Sequence, residues 1–182
     1  MKIALAILGL YLPVPVRKRV LRNLFTATAR AFGVDPPPTK GLSTRRLLRA
    51  YALFTKKESE KVWAECRDQS SVERRLFQYA SELGAILRLK FGVRSRNDVI
   101  SLSRMVYRIL GISFKGRTDG QIIISSCYFS RFYTGRVCRL ISALDAGAAA
   151  GISGGGKLEF IQRITEGHDS CRARLLFEDG PS

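Results

Sequence analysis

After two early prolines, apolar residues recur near helical spacing through VRKRVLRNLFTATARAFG. Val16, Val20, Leu21, Leu24, Phe25, Thr28 and Phe32 form the stripe, with Arg17, Lys18, Arg22 and Arg30 interleaved. This pattern predicts a basic amphipathic helix. VDPPPTKG then makes a stiff linker, because each proline fixes φ and cannot join a helix interior. Ser43 can cap a helix bearing Leu47, Leu48, Tyr51 and Phe54. Thr55-x-x-Glu58 and Ser70-x-x-Glu73 both have the capping-box form and predict two further helix starts. The second opens the clearest stripe in the chain: Val72, Leu76, Tyr79, Ala80, Leu83, Ile86 and Leu87, closed by Gly92. Ser95 then caps a helix through Leu110, with Val99, Leu102, Val106, Ile109 and Leu110 inward.

From Asp119 the period changes. QIIISSCYF has the length and β-branched content of a strand, and 132–151 returns to helical spacing. KLEFIQRI and CRARLLFE are two further strands joined at Glu166-Gly167-His168-Asp169. The expectation is an α+β fold, N-terminal helices followed by a small antiparallel sheet in β-α-β-β order. Residues 1–41 read as a helix and linker, and 42–182 as one α+β ligand-binding domain, helical over 42–118 and sheet-bearing over 119–182.

Charge sharpens this division. Residues 1–118 hold 24 Lys/Arg against 8 Asp/Glu, whereas 119–182 hold 7 against 7. The whole excess of +16 lies in the helical part, which suits an anionic membrane surface better than nucleic acid. Nucleic acid is an unlikely partner, since no recognition helix or aromatic-bearing sheet accompanies the cations. Ile3–Val16 is apolar over 14 residues and holds Pro13 and Pro15. A spanning helix needs about 20 residues, and RKR follows in place of a signal-peptide cleavage site. The expectation is a cytoplasmic protein, peripheral on the inner face of the membrane, with Ile3–Leu12 as a wedge.

Four cysteines in 182 residues do not make a secreted disulfide scaffold. Cys127 ends the first predicted strand, Cys138 lies in the following helix, and Cys171 starts the last strand. A helix packed over the sheet would bring these three toward one end of it, while Cys66 reads as structural. Asp145 follows Cys138 by two helical turns on the same face, and Glu166 offers a second carboxylate. Cys127, Cys138, Cys171, Asp145 and Glu166 are thus the candidate catalytic residues. The thiols have an alternative role as ligands of zinc or an iron–sulfur cluster, although their spacing is not that of a zinc finger. Gly154-Gly155-Gly156-Lys157 is no P-loop: a helix precedes it, a strand follows, and Leu158 stands where Ser or Thr is required. Those three glycines and His168, the sole histidine, are the candidate ligand-binding residues. In this reading 151–171 forms the lip of a pocket.

The run CYFSRFYTGRVCRLISALDAGAAAGISGGGKLEFIQRITEGHDSCRARL resembles the L-2-amino-thiazoline-4-carboxylic acid hydrolase-like family, itself related to the 4-vinyl reductase small-molecule-binding domain. The order and spacing of Cys127, Cys138, Asp145, Glu166, Gly167 and Cys171 carry the likeness, which extends over about 72–177. It implies an α/β fold with N-terminal helices, a pocket between helix and sheet and, for the named hydrolases, opening of a cyclic amidine C–N bond. The chain departs from the pattern in the closing hairpin, where Arg172 and Arg174 stand in place of a more acidic and aromatic ending. Two functions follow as expectations. One is a C–N hydrolase or small-ligand-binding domain with a cysteine-lined pocket. The other is a non-catalytic metal, iron–sulfur or small-ligand carrier held at a membrane by its basic helices.

Overall fold

Pro13 and Pro15 open the first helix, which suits proline's fixed φ and missing amide at the first turn. In this computed structural model, which describes residues 13–177, that helix is α1, Val14–Phe32, and Gly33 ends it at φ 73°. Leu21, Phe25, Ala29 and Phe32 are sealed. Each large side chain among them contributes about 1.5–3 kcal/mol by leaving water. Leu21, Phe25 and Phe32 join the same core as Leu76, Leu102 and Leu140, so the helix is part of the body of the protein. Ile3–Leu12 lies outside the described residues.

Helix α2, Thr44–Ala64, is capped by Ser43, whose Oγ accepts from Arg46 N at 3.3 Å. It runs unbroken through Thr55, correcting the helix start expected there. Thr55 is buried in mid-helix, and its hydroxyl donates to the Tyr51 carbonyl at 2.8 Å and meets the Tyr133 hydroxyl. Helix α3, Gln69–Phe91, starts one residue before Ser70, with Asp68 as its cap and Gly92 as its left-handed stop. The true capping box belongs to α4, Arg96–Ile109, where Ser95 and Asp98 satisfy each other's amides.

Two strands follow α4. β1, Ile112–Gly116, pairs antiparallel with β2, Gln121–Cys127. A 3-10 turn at Tyr128–Arg131 leads into α5, Gly135–Ser153, and then β3, Lys157–Gln162, pairs with β4, Cys171–Leu176. The fold class is α+β with one antiparallel sheet of order β1-β2-β4-β3. The chain order is therefore β-β-α-β-β, and the sheet-bearing part begins at Ile112, not at 119. β2 and β4 are central; their buried Ile122, Ile124, Ala173 and Leu175 face the helices, and alternate residues face solvent.

Helix α5 crosses α3 at backbone distance. A methyl carbon at Gly147 would lie 2.1 Å from the Phe77 carbonyl oxygen, and one at Gly84 would lie 2.8 Å from the Ala148 carbonyl oxygen. Only glycine permits that approach. Arg88 of α3 locks the end of the crossing by donating to the Ile152 and Ser153 carbonyls at the C-terminus of α5. Among the described residues no helix is long and apolar enough to cross a membrane.

Candidate functional site

Between α4, α5 and the sheet lies a cavity of ≈ 20 Å³, enough for about one water. Its walls are apolar, with Ile100, Val106, Phe114, Ile122, Ile152 and Leu175 contributing, and Asp145 and Tyr107 supply its polar end. The Tyr107 hydroxyl donates to Asp145 Oδ1 at 2.9 Å, and the Tyr107 ring stacks on Phe114 at 4.9 Å. Asp145 is half-buried and lines the cavity. Burial pushes its carboxyl up to about 6, against the opposing effects of the Tyr107 hydrogen bond and the Arg163 charge. A carboxyl so placed exchanges its proton close to neutral pH.

The three thiols do not line this cavity. The charge of Asp145 reaches Cys127, Cys138 and Cys171, and in each case it opposes thiolate formation. Burial is the larger effect and pushes Cys127 up to about 12; it raises Cys138 and Cys171 as well. Cys171 Sγ also accepts from the Ile164 amide at 3.4 Å. A nucleophilic cysteine needs a depressed pKa, so these thiols rest protonated. Among the described residues no group of three or more His, Cys, Asp or Glu side chains is placed to hold a metal ion.

Glu166 sits on the 3-10 turn Ile164–Glu166, which caps the thiol region. It accepts from Arg139 Nε at 2.7 Å and lies 3.9 Å from Arg163 Nη1. The Arg139 hydrogen bond holds its carboxyl below the usual range, so it is a fixed anion and not a proton donor. Arg163 in turn lies over the Phe160 ring at 4.5 Å, with its Nε sealed and unpartnered. Thr165 sits beside Cys138 and eases its shift, although its Oγ1 completes no hydrogen bond of normal geometry. His168 is exposed in the loop before β4 and touches neither the cavity nor the thiols.

The glycines are the largest departure from expectation. The helix runs past Gly151 to Ser153, and Gly151 belongs to the α3 crossing. Gly154 is the left-handed cap at φ 85°, and Gly155 follows at φ 126°. A methyl carbon at Gly156 would lie 2.9 Å from the Leu176 carbonyl oxygen. All three therefore stand at the C-terminal ends of α5 and β4, whereas Cys138 and Cys171 are near the starts of those elements. Gly154, Gly155 and Gly156 form a connector, not a pocket lip. Sequence reasoning missed Tyr107. Tyr107 sits one turn from Ser103 on the buried face of α4, a hydroxyl-bearing ring in an apolar stripe, which was the available signal.

The structure is similar to that of a trafficking protein particle complex subunit 3 from Naegleria fowleri covalently bound to palmitic acid. The TM-score is 0.49 at 13% identity, and the match covers 72% of this chain and 96% of that chain. At that similarity nothing about function transfers. No family model matches the chain, and no curated protein matches it.

Proposed function

We propose that the protein is a small-ligand-binding domain whose recognition point is the Asp145–Tyr107 pair at the polar end of the cavity. The observation that carries this reading is a carboxylate kept at the edge of an apolar void, with Tyr107 as its hydrogen-bond partner. Burying such a group costs stability, and groups so perturbed cluster at functional sites. The void holds about one water-sized group and the carboxylate accepts hydrogen bonds, so only the N–H end of a ligand such as an amine or amidine reaches Asp145. The resemblance to the thiazoline-carboxylate hydrolases points to the same amidine chemistry. If C–N hydrolysis occurs, Asp145 and not a thiol is the proton-transfer group, because its carboxyl titrates near 6.

The test is a thermal-shift titration of wild type and Asp145→Asn with small amidines, including 2-amino-thiazoline-4-carboxylate. Ligand at about a hundredfold above its Kd should stabilise the wild type by about 2.7 kcal/mol, and Asp145→Asn should lose that gain. Equal shifts in both proteins, or none in either, would sink the reading.

A second reading concerns the start of α1. Val14 and Val16 are 50% and 42% exposed and adjoin Arg17, Lys18 and Arg19. Exposed apolar groups beside clustered cations suit an anionic membrane surface. Removal of the whole helix is no test, since Leu21, Phe25 and Phe32 are core. Val14→Asp/Val16→Asp should instead abolish salt-sensitive sedimentation with anionic vesicles, and undiminished binding by that variant would refute the membrane role.

A further inference from the structure

We propose that the outer face of the α3–α5 pair docks a second copy of this chain. Leu89 and Ile86 are 81% and 59% exposed, and with the exposed Ala85 they form one short strip on the C-terminal half of α3, while Phe77, 41% exposed, stands more than two turns earlier on the side of α5. Single exposed apolar residues are ordinary, but a contiguous strip on one helix marks an interaction surface.

Charge identifies the occupant. The chain has 31 Lys/Arg against 15 Asp/Glu, so most of its surface repels its own copy. From Leu76 to Leu87, α3 has no lysine or arginine, and Arg88 is committed to the Ile152 and Ser153 carbonyls. The neighbouring α5 carries none from Leu140 to Ser153, and its half-exposed Ala143, Ala146 and Ala150 flank the crossing. Packed across their glycines, the two helices make a cation-free face on a strongly cationic protein. Gln78 and Glu82 are its exposed polar residues along α3, and Arg74 and Lys90 stand only at its ends. An acidic partner would be drawn elsewhere, to the basic helices. A copy of the same chain meets least repulsion here, and a two-fold pairing of α3 with α3 sets apolar strip against apolar strip. The proposal is independent of the ligand reading, since the strip contains no cavity residue.

Sedimentation equilibrium of the full chain over a wide concentration range tests it. The expected result is a mass twice that of the chain for the wild type. Ile86→Lys/Leu89→Lys should halve that mass and leave the melting temperature of the fold intact, because both positions are exposed. If the double variant does not fold, Leu89→Lys alone serves, being the most exposed of the strip. Leu53→Lys, an exposed site on α2, should leave the dimer unchanged. A monomeric wild type, a dimer that survives the charge insertion, or equal loss in Leu53→Lys overturns the proposal.

Discussion

Gly84 of α3 and Gly151 of α5 meet backbone to backbone: a methyl carbon at Gly151 would lie 2.9 Å from the Gly84 Cα and 2.1 Å from the Ser81 carbonyl oxygen. Two effects of a Gly→Ala change oppose each other at such a site. Helix propensity favours alanine by about 1 kcal/mol. Steric overlap with carbonyl oxygens on a facing helix costs more, typically about 1–3 kcal/mol and occasionally above that. At Gly147, where the Phe77 carbonyl oxygen would be only 2.1 Å away, overlap wins. Gly147→Ala should lower the urea midpoint by an amount equivalent to roughly 2 kcal/mol net. A neutral or stabilised variant would mean that the crossing is looser than described.

The second prediction follows the proton on Asp145. Its folded pKa, about 6, is above the ordinary carboxylate value of 3.8, so the folded state binds protons more tightly than the unfolded chain. Stability from this group is therefore greatest below about pH 4 and falls as pH rises toward 6, by on the order of 3 kcal/mol. Asp145→Asn keeps an acceptor for Tyr107 and removes the charge. It should be more stable than wild type at about pH 8, with the advantage gone near pH 4. Chemical denaturation across that range measures the difference, and a constant offset at every pH would contradict the assignment.

Thiol chemistry gives the third. Cys66 is exposed, whereas Cys127, Cys138 and Cys171 are buried or half-buried with raised pKa values. A disulfide reagent at neutral pH should modify one thiol rapidly and three only on unfolding. The variant Cys66→Ser should abolish the fast phase. A fast phase retained in that variant would reveal an activated thiol in the cluster.

The fourth concerns the glycine loop. Gly155→Val forces a β-branched residue into φ 126°, which strains the backbone at a cost of about 1–3 kcal/mol. Because the loop is remote from the thiols, the stability of the fold should drop with no change in thiol reactivity or in the pH response of Asp145. Altered thiol kinetics without destabilisation would restore the lip.

Periodicity and capping made most helices legible, since Ser43 and Ser95 do cap and Gly92 does stop a helix. Thr55 misled because a threonine hydroxyl satisfied by the carbonyl four residues back looks, in sequence, like a cap. β1 went unseen because it has five residues and a register irregularity after Ser113; the left-handed Gly111 before it was the clue. The placement of Cys127 at a strand end, of Cys138 and Asp145 in the next helix and of Cys171 at the start of the last strand was readable from the pattern. That the Nε of Arg163 is sealed was not, because a charge at a strand end is ordinarily solvated. Gly151 was read as the start of a pocket lip, because sequence alone cannot tell a helix crossing from a loop.

The α3–α5 crossing also constrains how the interior can respond to an occupant. Side chains yield by changing rotamer, but a contact made of carbonyl oxygens and Cα atoms has no rotamers to change. Helix α5, which presents Asp145, is thus an inelastic wall anchored further by Arg88. Of the two helices bordering the void, α4 meets Asp145 through the hydroxyl of a side chain, Tyr107, whose ring stacks on Phe114. At that contact Tyr107 can change rotamer where the α5 backbone cannot.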